Sequence, residues 1–590
     1  MQAGMWFAIF AIVFLSSVYV LWKRHPNYGA SPGAPSFPII GCLPALLLNK
    51  HRYHEWTCDL FEQSHGLTRS IRLGSDILLF TIDPTVVRHV LKDSFTSYPK
   101  GPIFYPYFEE LLGQGILNSD GPLWVFQRKV ASHIFTSNSL RTFILSISDS
   151  EISSRLLPGL AAAQHMSSDS VDMQDILIRC IFDMICQITL GMDPVCLKFP
   201  TSGTMEEADH IAMSCTEMDA RHQRHDEVHE YREVLDEKHG VHGGIVKCSL
   251  RSPKTKVPDS LVQGFVQGFQ AATRISAERF LVPRFLWTMK RFLRIGSERE
   301  LLQALEQVNE FTTFLIKQSK KEIGKGRKDL LARFIHVSDE TLGAIACDDM
   351  GVNACIREQE RSTISDSLLR DILLNFLLAG LETVASAVTF TLWIVSTHPE
   401  IERRVLREIS SILADREQNG GGEEDAIKVG TFTYEEVRKM DYMHAVISET
   451  MRLYPPVPAD CKYAAEDDVL PDGTKVSKGY RIGFMIFAMG RSAKLWGEDC
   501  LDFRPERWLD HNGHFQPVSA FKYPVFQAGP RICLGKDFAF IQMKLLLASL
   551  LMNFEFAVHA GFKPKLSYGI TLSMVNGLPM TVRRRITLVS

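Results

Sequence analysis

The sequence predicts a mostly α-helical domain with a small β region. From about Leu46 onward, apolar residues recur at helical spacing, and only two stretches alternate around a turn as a hairpin does. Hydrophobic residues make up 45% of the 590 residues, which is enough for a large buried core.

The overall charge and the cysteines exclude several classes of protein. The formal net charge is -3, so the chain lacks the basic excess that a nucleic-acid-binding protein needs, and we expect no nucleic-acid partner. Its 12 cysteines have no regular spacing and include no C-x-x-C pair. They are typical of reduced intracellular thiols rather than of a disulfide framework.

Residues 1–25 predict a membrane anchor. Met5 to Trp22 is an uncharged run of 18 residues, close to the about 20 that a helix needs to cross the hydrocarbon core. Lys23 and Arg24 follow, and the positive-inside rule places them in the cytosol. We expect a single-pass anchor with a cytosolic domain. The alternatives are a buried helix and a cleaved signal peptide, which would need the positive charge that the first four residues lack.

Residues 26–45 predict a stiff hinge between this anchor and one catalytic domain over residues 46–590. The segment contains five prolines, at positions 26, 32, 35, 38 and 44. Because proline fixes φ and removes a backbone donor, such a segment stays extended.

Three patterns define the secondary structure of the domain. Ser70 to Ile82 and Val469 to Tyr480 predict the two hairpins. Leu368 to His398 predicts one helix about 45 Å long. Its hydropathy would suit a second membrane span, but Asn375 and Glu382 favour a helix buried in a large core.

Two segments resemble insertions, at residues 204–260 and 336–364. The first is polar and places His222, His225 and His229 on one helical face. A metal site is one interpretation of these histidines. A solvated helix or loop is favoured, because the spacing matches no recognised ligand pattern.

A glycine-bracketed cysteine precedes the apolar helix predicted over residues 537–552. The stretch has the form F-x-x-G-x-R-x-C-x-G, with Phe526, Gly529, Arg531, Cys533 and Gly535. A cysteine before a helix meets the positive end of the helix dipole, which stabilises a thiolate. Glycines allow close backbone approach to a flat ligand, and arginine can bind an anionic group. Such a thiolate suits haem iron, whereas the alternative is a buried structural cysteine.

This stretch resembles the haem loop of the cytochrome P450 family, and three further motifs occur in the family's order. Glu449 and Arg452 fit an E-x-x-R helix, and at i, i+3 they lie on one helical face and can pair. Arg507, within a P-E-R segment, is expected to join them in a buried network that stabilises the fold. Residues 379–383 read A-G-L-E-T, the third motif.

The resemblance implies haem b with Cys533 as the axial ligand of its iron. It also implies roles for helix residues near the haem. Gly380 leaves room for dioxygen, and Glu382 and Thr383 relay protons, although a packing glycine and a helix-bonded threonine are the plainer interpretation. Trp124 and Arg128, a W-x-x-x-R pair on one helical face, are expected to bind the propionates.

The propionates would have Arg531 as a third partner. Oxygen and NADPH-derived electrons would be co-substrates, the electrons arriving from a separate flavoprotein reductase because the chain has no flavin or nicotinamide motif. Lys129, Lys522 and Lys536 are candidate contacts for that acidic partner, although surface lysines often serve only solubility.

Segments between residues 453 and 509 are most similar to the plant fatty-acid ω-hydroxylase clan. This resemblance implies hydroxylation of a long-chain fatty acid or related aliphatic at or near its terminal carbon, by a protein of the endoplasmic reticulum membrane. Seven residues are candidates to line the substrate channel: Phe104, Tyr105, Tyr107, Phe108, Val457, Ile570 and Leu572. The alternatives are oxidation of another lipophile (an alkane, alcohol or terpenoid) and a haem-binding protein inactivated by its insertions.

Overall fold

A computed structural model describes most of the domain. The described residues are 16–17, 36–37, 41–62, 66–73, 76–136, 138–164, 170–199, 257–321, 329–334, 365–418 and 432–586. The predicted anchor (apart from Ser16 and Ser17), most of the predicted hinge, the histidines at 222, 225 and 229, and the insert at 336–364 lie outside these residues.

Helices dominate the described residues, as predicted. Their bounds are Leu43–Asn49, Tyr53–Glu62, Pro84–Arg88, Gly101–Leu112, Gly121–Phe135, Asn138–Glu151, Leu157–Ala163, Met173–Leu190, Asp259–Glu278, Arg284–Leu293, Ser297–Lys321, Asp366–Thr397, Pro399–Gln418, Tyr434–Lys439, Asp441–Leu453, Ile486–Met489, Ala493–Trp496 and Lys536–Asn553.

The β region is small, and both predicted hairpins are present. The strands are β1 (Thr68–Leu73), β2 (Asp76–Thr81), β3 (Val171–Asp172), β4 (Asp460–Tyr463), β5 (Asp468–Val469), β6 (Lys475–Val476), β7 (Arg481–Phe484), β8 (Phe554–Val558) and β9 (Pro579–Arg584). They form sheets in the orders β1-β2-β7-β4, β3-β9-β8 and β5-β6. The strands of each predicted hairpin pair antiparallel, while β2 and β7 run parallel.

The long predicted helix is confirmed as Asp366–Thr397, and it lies in the core. The Ser365 side chain caps its first turn by accepting a hydrogen bond from the backbone N–H of Leu368. Although this helix is long and apolar enough to cross a membrane, most of it is buried. The Asn375 side chain donates to the carbonyl of Leu112 at 2.9 Å, so its polar group is satisfied inside the core.

The end of the first predicted insert belongs to the packed domain. Val257 is buried, and a helix begins at Asp259, whose carboxylate is 2.8 Å from the Lys198 ammonium. The described fold therefore resumes within the predicted segment 204–260 rather than after it.

A buried ionic network joins the helix Asp441–Leu453 to the P-E-R segment that contains Arg507. Both oxygens of the Glu449 carboxylate accept hydrogen bonds from Arg452, at 2.8 Å each, and both side chains are fully buried. Arg507 lies 3.3 Å from the same carboxylate, and the Trp508 indole N–H donates to it at 2.9 Å. The predicted Glu449, Arg452 and Arg507 network is therefore present.

Removing one partner from this network is expected to destabilise the protein strongly. In Arg452→Ala the Glu449 carboxylate stays buried without its main partner, which costs about 3–5 kcal/mol of unfolding free energy. The matched control is Arg438→Ala, because Arg438 forms an exposed i, i+3 pair with Glu435 that contributes at most about 0.5 kcal/mol. Denaturant unfolding measures both variants, and equal losses would contradict this role of the network.

Candidate active site

The cysteine loop is closed by a backbone hydrogen bond and leads directly into the helix Lys536–Asn553. The Cys533 N–H donates to the carbonyl of Phe526 at 2.8 Å. Gly529 has φ +66°, and a Cβ there would lie 2.0 Å from the carbonyl oxygen of Leu91. Glycine is therefore required at this position, because the backbone of Leu91 lies too close to leave room for a side chain. A Cβ at Gly535 would meet nothing closer than 3.9 Å, so packing does not require that glycine.

The cysteine side chain faces an internal cavity of about 510 Å³. Cys533 is exposed, whereas the other cysteines in the described ranges are buried or half-buried. Because Cys533 is deep in the protein, its exposed surface belongs to the cavity. Burial raises the pKa of its thiol, while the N–H of Gly535 and the Arg128 guanidinium act in the opposite direction. A bound metal cation would outweigh the burial and keep the sulfur as a thiolate.

The W-x-x-x-R pair points into the same cavity from the helix Gly121–Phe135. Trp124 and Arg128 both line it, as their i, i+4 spacing predicts. Arg128 forms no ion pair with any described residue, and burial lowers the pKa of its guanidinium. The Arg531 guanidinium lies 4.5 Å from the centre of the Trp124 ring and 2.6 Å from the Asp120 carboxylate.

Sequence reasoning missed a second group of charges in this cavity. Lys100, Asp460 and Lys462 line it, and the Lys100 ammonium is 2.7 Å from the Asp460 carboxylate, which also pairs with Lys462. Burial opposes ionisation of Asp460, but the two ammonium groups hold the pKa of its carboxyl well below its usual range. Burial lowers the pKa of Lys462 to about 8, so it is still a cation at neutral pH.

The charges near the cysteine fit a ligand with two negative charges. Four cations (Arg128, Arg531, Lys100 and Lys462) face two carboxylates (Asp120 and Asp460), which leaves a surplus of two positive charges. Buried charge has to be compensated. A haem b, with its two propionates, would neutralise this surplus while Cys533 supplied the axial thiolate. The residues present therefore fit the group.

The A-G-L-E-T segment borders the cavity from the central helix. Thr383 and Gly380 line the cavity, and the Thr383 hydroxyl donates to the carbonyl of Ala379 at 2.6 Å. A Cβ at Gly380 would lie 2.5 Å from Cδ1 of Ile185, so a larger residue here would require the Ile185 side chain to shift. Room for dioxygen at Gly380 stays a prediction.

Glu382 is adjacent to the cavity but does not line it. Its carboxyl accepts hydrogen bonds from the hydroxyls of Thr571, at 2.5 Å, and Thr273, at 3.2 Å. Burial raises the pKa of Glu382, against the effect of these two hydrogen bonds. Since Thr571 does line the cavity, the structure connects Glu382 to the cavity through a residue that the sequence analysis did not name.

Four of the seven candidate channel residues line the cavity: Phe104, Phe108, Val457 and Ile570. The other three do not. Tyr107 is buried and stacks on Phe280, with ring centres 4.2 Å apart. Leu572 is fully buried in the core, where its backbone carbonyl accepts a hydrogen bond from Ser386. Phe104 and Phe108 are four residues apart in the helix Gly101–Leu112, so both face the cavity from one side of that helix.

The domain is mostly helical, a cysteine faces its internal cavity, and two uncompensated positive charges lie beside that cysteine. These features together define a haem-thiolate protein. The family model described as "Cytochrome P450" matches residues 31–226 and 246–578. The chain belongs to the cytochrome P450 family. It is accordingly a monooxygenase, an oxidoreductase that uses haem b with a cysteine thiolate ligand, O2 and NADPH-derived electrons.

The chain is also similar to several curated plant proteins along most of its length. It is 34% identical to "Cytochrome P450 94A2" of Vicia sativa, over 95% of this chain and 92% of that protein. It is 34% identical to "Cytochrome P450 86B1" of Arabidopsis thaliana, over 94% and 86%. It is 36% identical to "Cytochrome P450 CYP94D109" of Paris polyphylla, over 86% and 85%.

Removing the unpaired cation of Arg128 is expected to weaken haem retention. In Arg128→Gln a propionate loses a charge-assisted hydrogen bond, so haem should transfer to an acceptor such as apomyoglobin about tenfold faster or more. Lys129→Gln is the matched control, because Lys129 is exposed on the same helix. Equal transfer rates from the two variants would contradict a contact between Arg128 and a propionate.

Proposed function

We propose that the protein hydroxylates a long-chain fatty acid or related aliphatic at or near its terminal carbon. The observation that carries this proposal is the character of the cavity wall, which is predominantly apolar and extends to Cys533. Phe104, Phe108, Val457 and Ile570 supply aromatic and aliphatic surface that suits an extended hydrocarbon chain. The similarity of the sequence to the plant fatty-acid ω-hydroxylase clan supports the same substrate class.

Haem b held by Cys533, with Phe526, Gly529 and Gly535 shaping its loop, supplies the dioxygen activation that inserts oxygen into a C–H bond. The protein's own residues hold the cofactor and supply protons. Arg128, Arg531 and the Trp124 N–H would bind its propionates. The same surplus of positive charge that favours the propionates disfavours their protonation.

Proton delivery is assigned to Thr383 and Glu382. Because the Thr383 hydroxyl donates to the Ala379 carbonyl, its lone pairs are free to accept a hydrogen bond from the cavity side. Burial raises the pKa of the Glu382 carboxyl, which favours the protonated form that can donate a proton. The Thr571 hydroxyl lies between this carboxyl and the cavity, where it can pass a proton on.

The proposed setting is the endoplasmic reticulum membrane, with residues 1–25 as a single-pass anchor and the domain in the cytosol. Amphipathic helix Arg284–Leu293 supports membrane contact, because Phe285 and Phe292 are 69% and 86% exposed beside basic residues. An NADPH-dependent flavoprotein reductase would supply electrons. Of its candidate contacts, Lys129 is exposed, while Lys522 lies 4.3 Å over the Trp496 ring.

Product analysis tests this function directly. Membranes that contain the protein and a P450 reductase are incubated with NADPH and saturated fatty acids of graded length, and the products are separated by mass spectrometry. We expect hydroxylation at the terminal carbon or its neighbours, because the predominantly apolar wall extends to Cys533 and favours the hydrocarbon end of the chain there over the carboxylate. Products hydroxylated mainly in mid-chain, or turnover only of terpenoids or alkanes, would contradict the proposal. Haem binding without any turnover would identify an inactive haem protein.

A separate prediction concerns the coupling of electrons to product. Thr383→Val keeps the shape of the side chain but removes the hydroxyl, so a smaller fraction of the NADPH consumed should yield hydroxylated product and more should yield hydrogen peroxide. A fall of about tenfold in coupling is expected, within the range for losing a positioned proton donor. Thr383→Ser, which keeps the hydroxyl, is the control. Unchanged coupling in Thr383→Val would remove Thr383 from the proton path.

A further inference from the structure

A second polar group lines the same cavity from the four-stranded sheet. Arg481, in β7, is only 6% exposed, and its Nη2 lies 3.2 Å from the Asp76 carboxylate. Its Nε is buried and has no hydrogen-bond partner. A buried guanidinium N–H without a partner is costly. This side chain therefore lines the cavity while one of its donors, the buried Nε, has no partner.

Two tyrosines line the same cavity as this arginine. Tyr53 and Tyr568 both line the cavity, with ring centres 5.0 Å apart, and Tyr53 interacts electrostatically with Arg481. Neither hydroxyl has a hydrogen-bond partner in the described part of the chain. Burial raises the pKa of both phenols, so they remain protonated donors at neutral pH. Three donor side chains therefore line a cavity whose wall is predominantly apolar.

This group is distinct from the cations assigned to the haem propionates. In the β4–β7 pair, Tyr463 is opposite Arg481 and Lys462 is opposite Ile482. Because side chains alternate between the two faces of a sheet, Arg481 projects from the face opposite to that of Lys462. The propionate charges are already balanced by the four cations near Cys533. The propionates therefore do not need Arg481, which pairs with the partly exposed Asp76.

We propose that Arg481, with the hydroxyls of Tyr53 and Tyr568, binds the carboxylate of an acidic amphiphile whose hydrocarbon chain occupies the apolar part of the cavity. A carboxylate can only accept hydrogen bonds, and the guanidinium and the two hydroxyls can all donate them. This inference rests on the proposed function and makes it more specific, because it selects free fatty acids over their esters, alcohols and alkanes.

Asp76 has a defined part in this arrangement. Its side chain is 45% exposed, so it reaches solvent while it pairs with the nearly buried Arg481. It holds the guanidinium in place without ligand, and its negative charge weakens binding of a second carboxylate. Replacing Asp76 by a neutral isostere should therefore strengthen binding of an acid and leave binding of an ester unchanged.

The test compares two probes with the same hydrocarbon chain, one with a charged carboxylate and one with a neutral methyl ester. The full-length haem-loaded protein is titrated with dodecanoic acid and with methyl dodecanoate, and the change of the Soret band on binding gives each dissociation constant. In Arg481→Gln we expect acid binding to weaken about 10- to 100-fold, with ester binding changed less than about twofold. Tyr53→Phe should weaken only acid binding, Asp76→Asn should strengthen it, and Arg403→Gln, at an exposed site, should change neither.

Three results would each overturn the inference. In the first, Arg481→Gln weakens binding of both probes equally; in the second, Arg481→Gln loses haem while Asp76→Asn leaves acid binding unchanged. In the third, the wild-type protein binds the ester as tightly as the acid. Its failure is distinguishable from failure of the proposed function. If the protein hydroxylates fatty acids but Arg481→Gln does not weaken acid binding more than ester binding, only the carboxylate subsite is overturned. An acid preference that Arg481→Gln abolishes, in a protein that hydroxylates no fatty acid, supports the subsite and overturns the function.

Discussion

The buried carboxylate of Glu449 organises the side of the domain that carries the cysteine. A charge in the core is tolerated only when its oxygens are fully hydrogen-bonded, and Glu449 meets this condition through Arg452 and Trp508. Trp508 packs against Tyr523 with ring centres 4.7 Å apart, and the Tyr523 hydroxyl donates to the carbonyl of Ser448. Tyr523 directly precedes the segment that leads into the cysteine loop. Satisfying one buried charge therefore also fixes the approach to Cys533.

The cavity follows a complementary principle. The Glu449 network is satisfied within the protein, whereas Arg128, Arg531, Lys100 and Lys462 exceed their two carboxylate partners by two charges. Such a surplus is unfavourable in an apolar interior until a ligand compensates it. The domain thus contains one complete polar network that stabilises the fold and one incomplete network that fits a dianionic cofactor.

Features that depend on local spacing could be predicted from the sequence. The i, i+3 pair of Glu449 and Arg452, the long helix and the closed loop before Cys533 depend on residues that are near one another in the chain. Features that depend on distant segments could not be predicted. The Lys100–Asp460 pair joins residues 360 positions apart, and the Gly380 contact with Ile185 joins two separate helices. The resemblance to a family supplied roles for matched residues, but it did not indicate such long-range partners.

The most direct test of the account is the reduced, carbon-monoxide-bound difference spectrum of the full chain in membranes, recorded for wild type and Cys533→Ser. The cavity and its charges predict that wild-type protein binds haem and shows the red-shifted Soret band of a thiolate ligand. They also predict that Cys533→Ser lacks this band even where haem is still bound. A red-shifted band that persists in Cys533→Ser, or haem bound by wild type without that band, would contradict the assignment of Cys533 as the ligand.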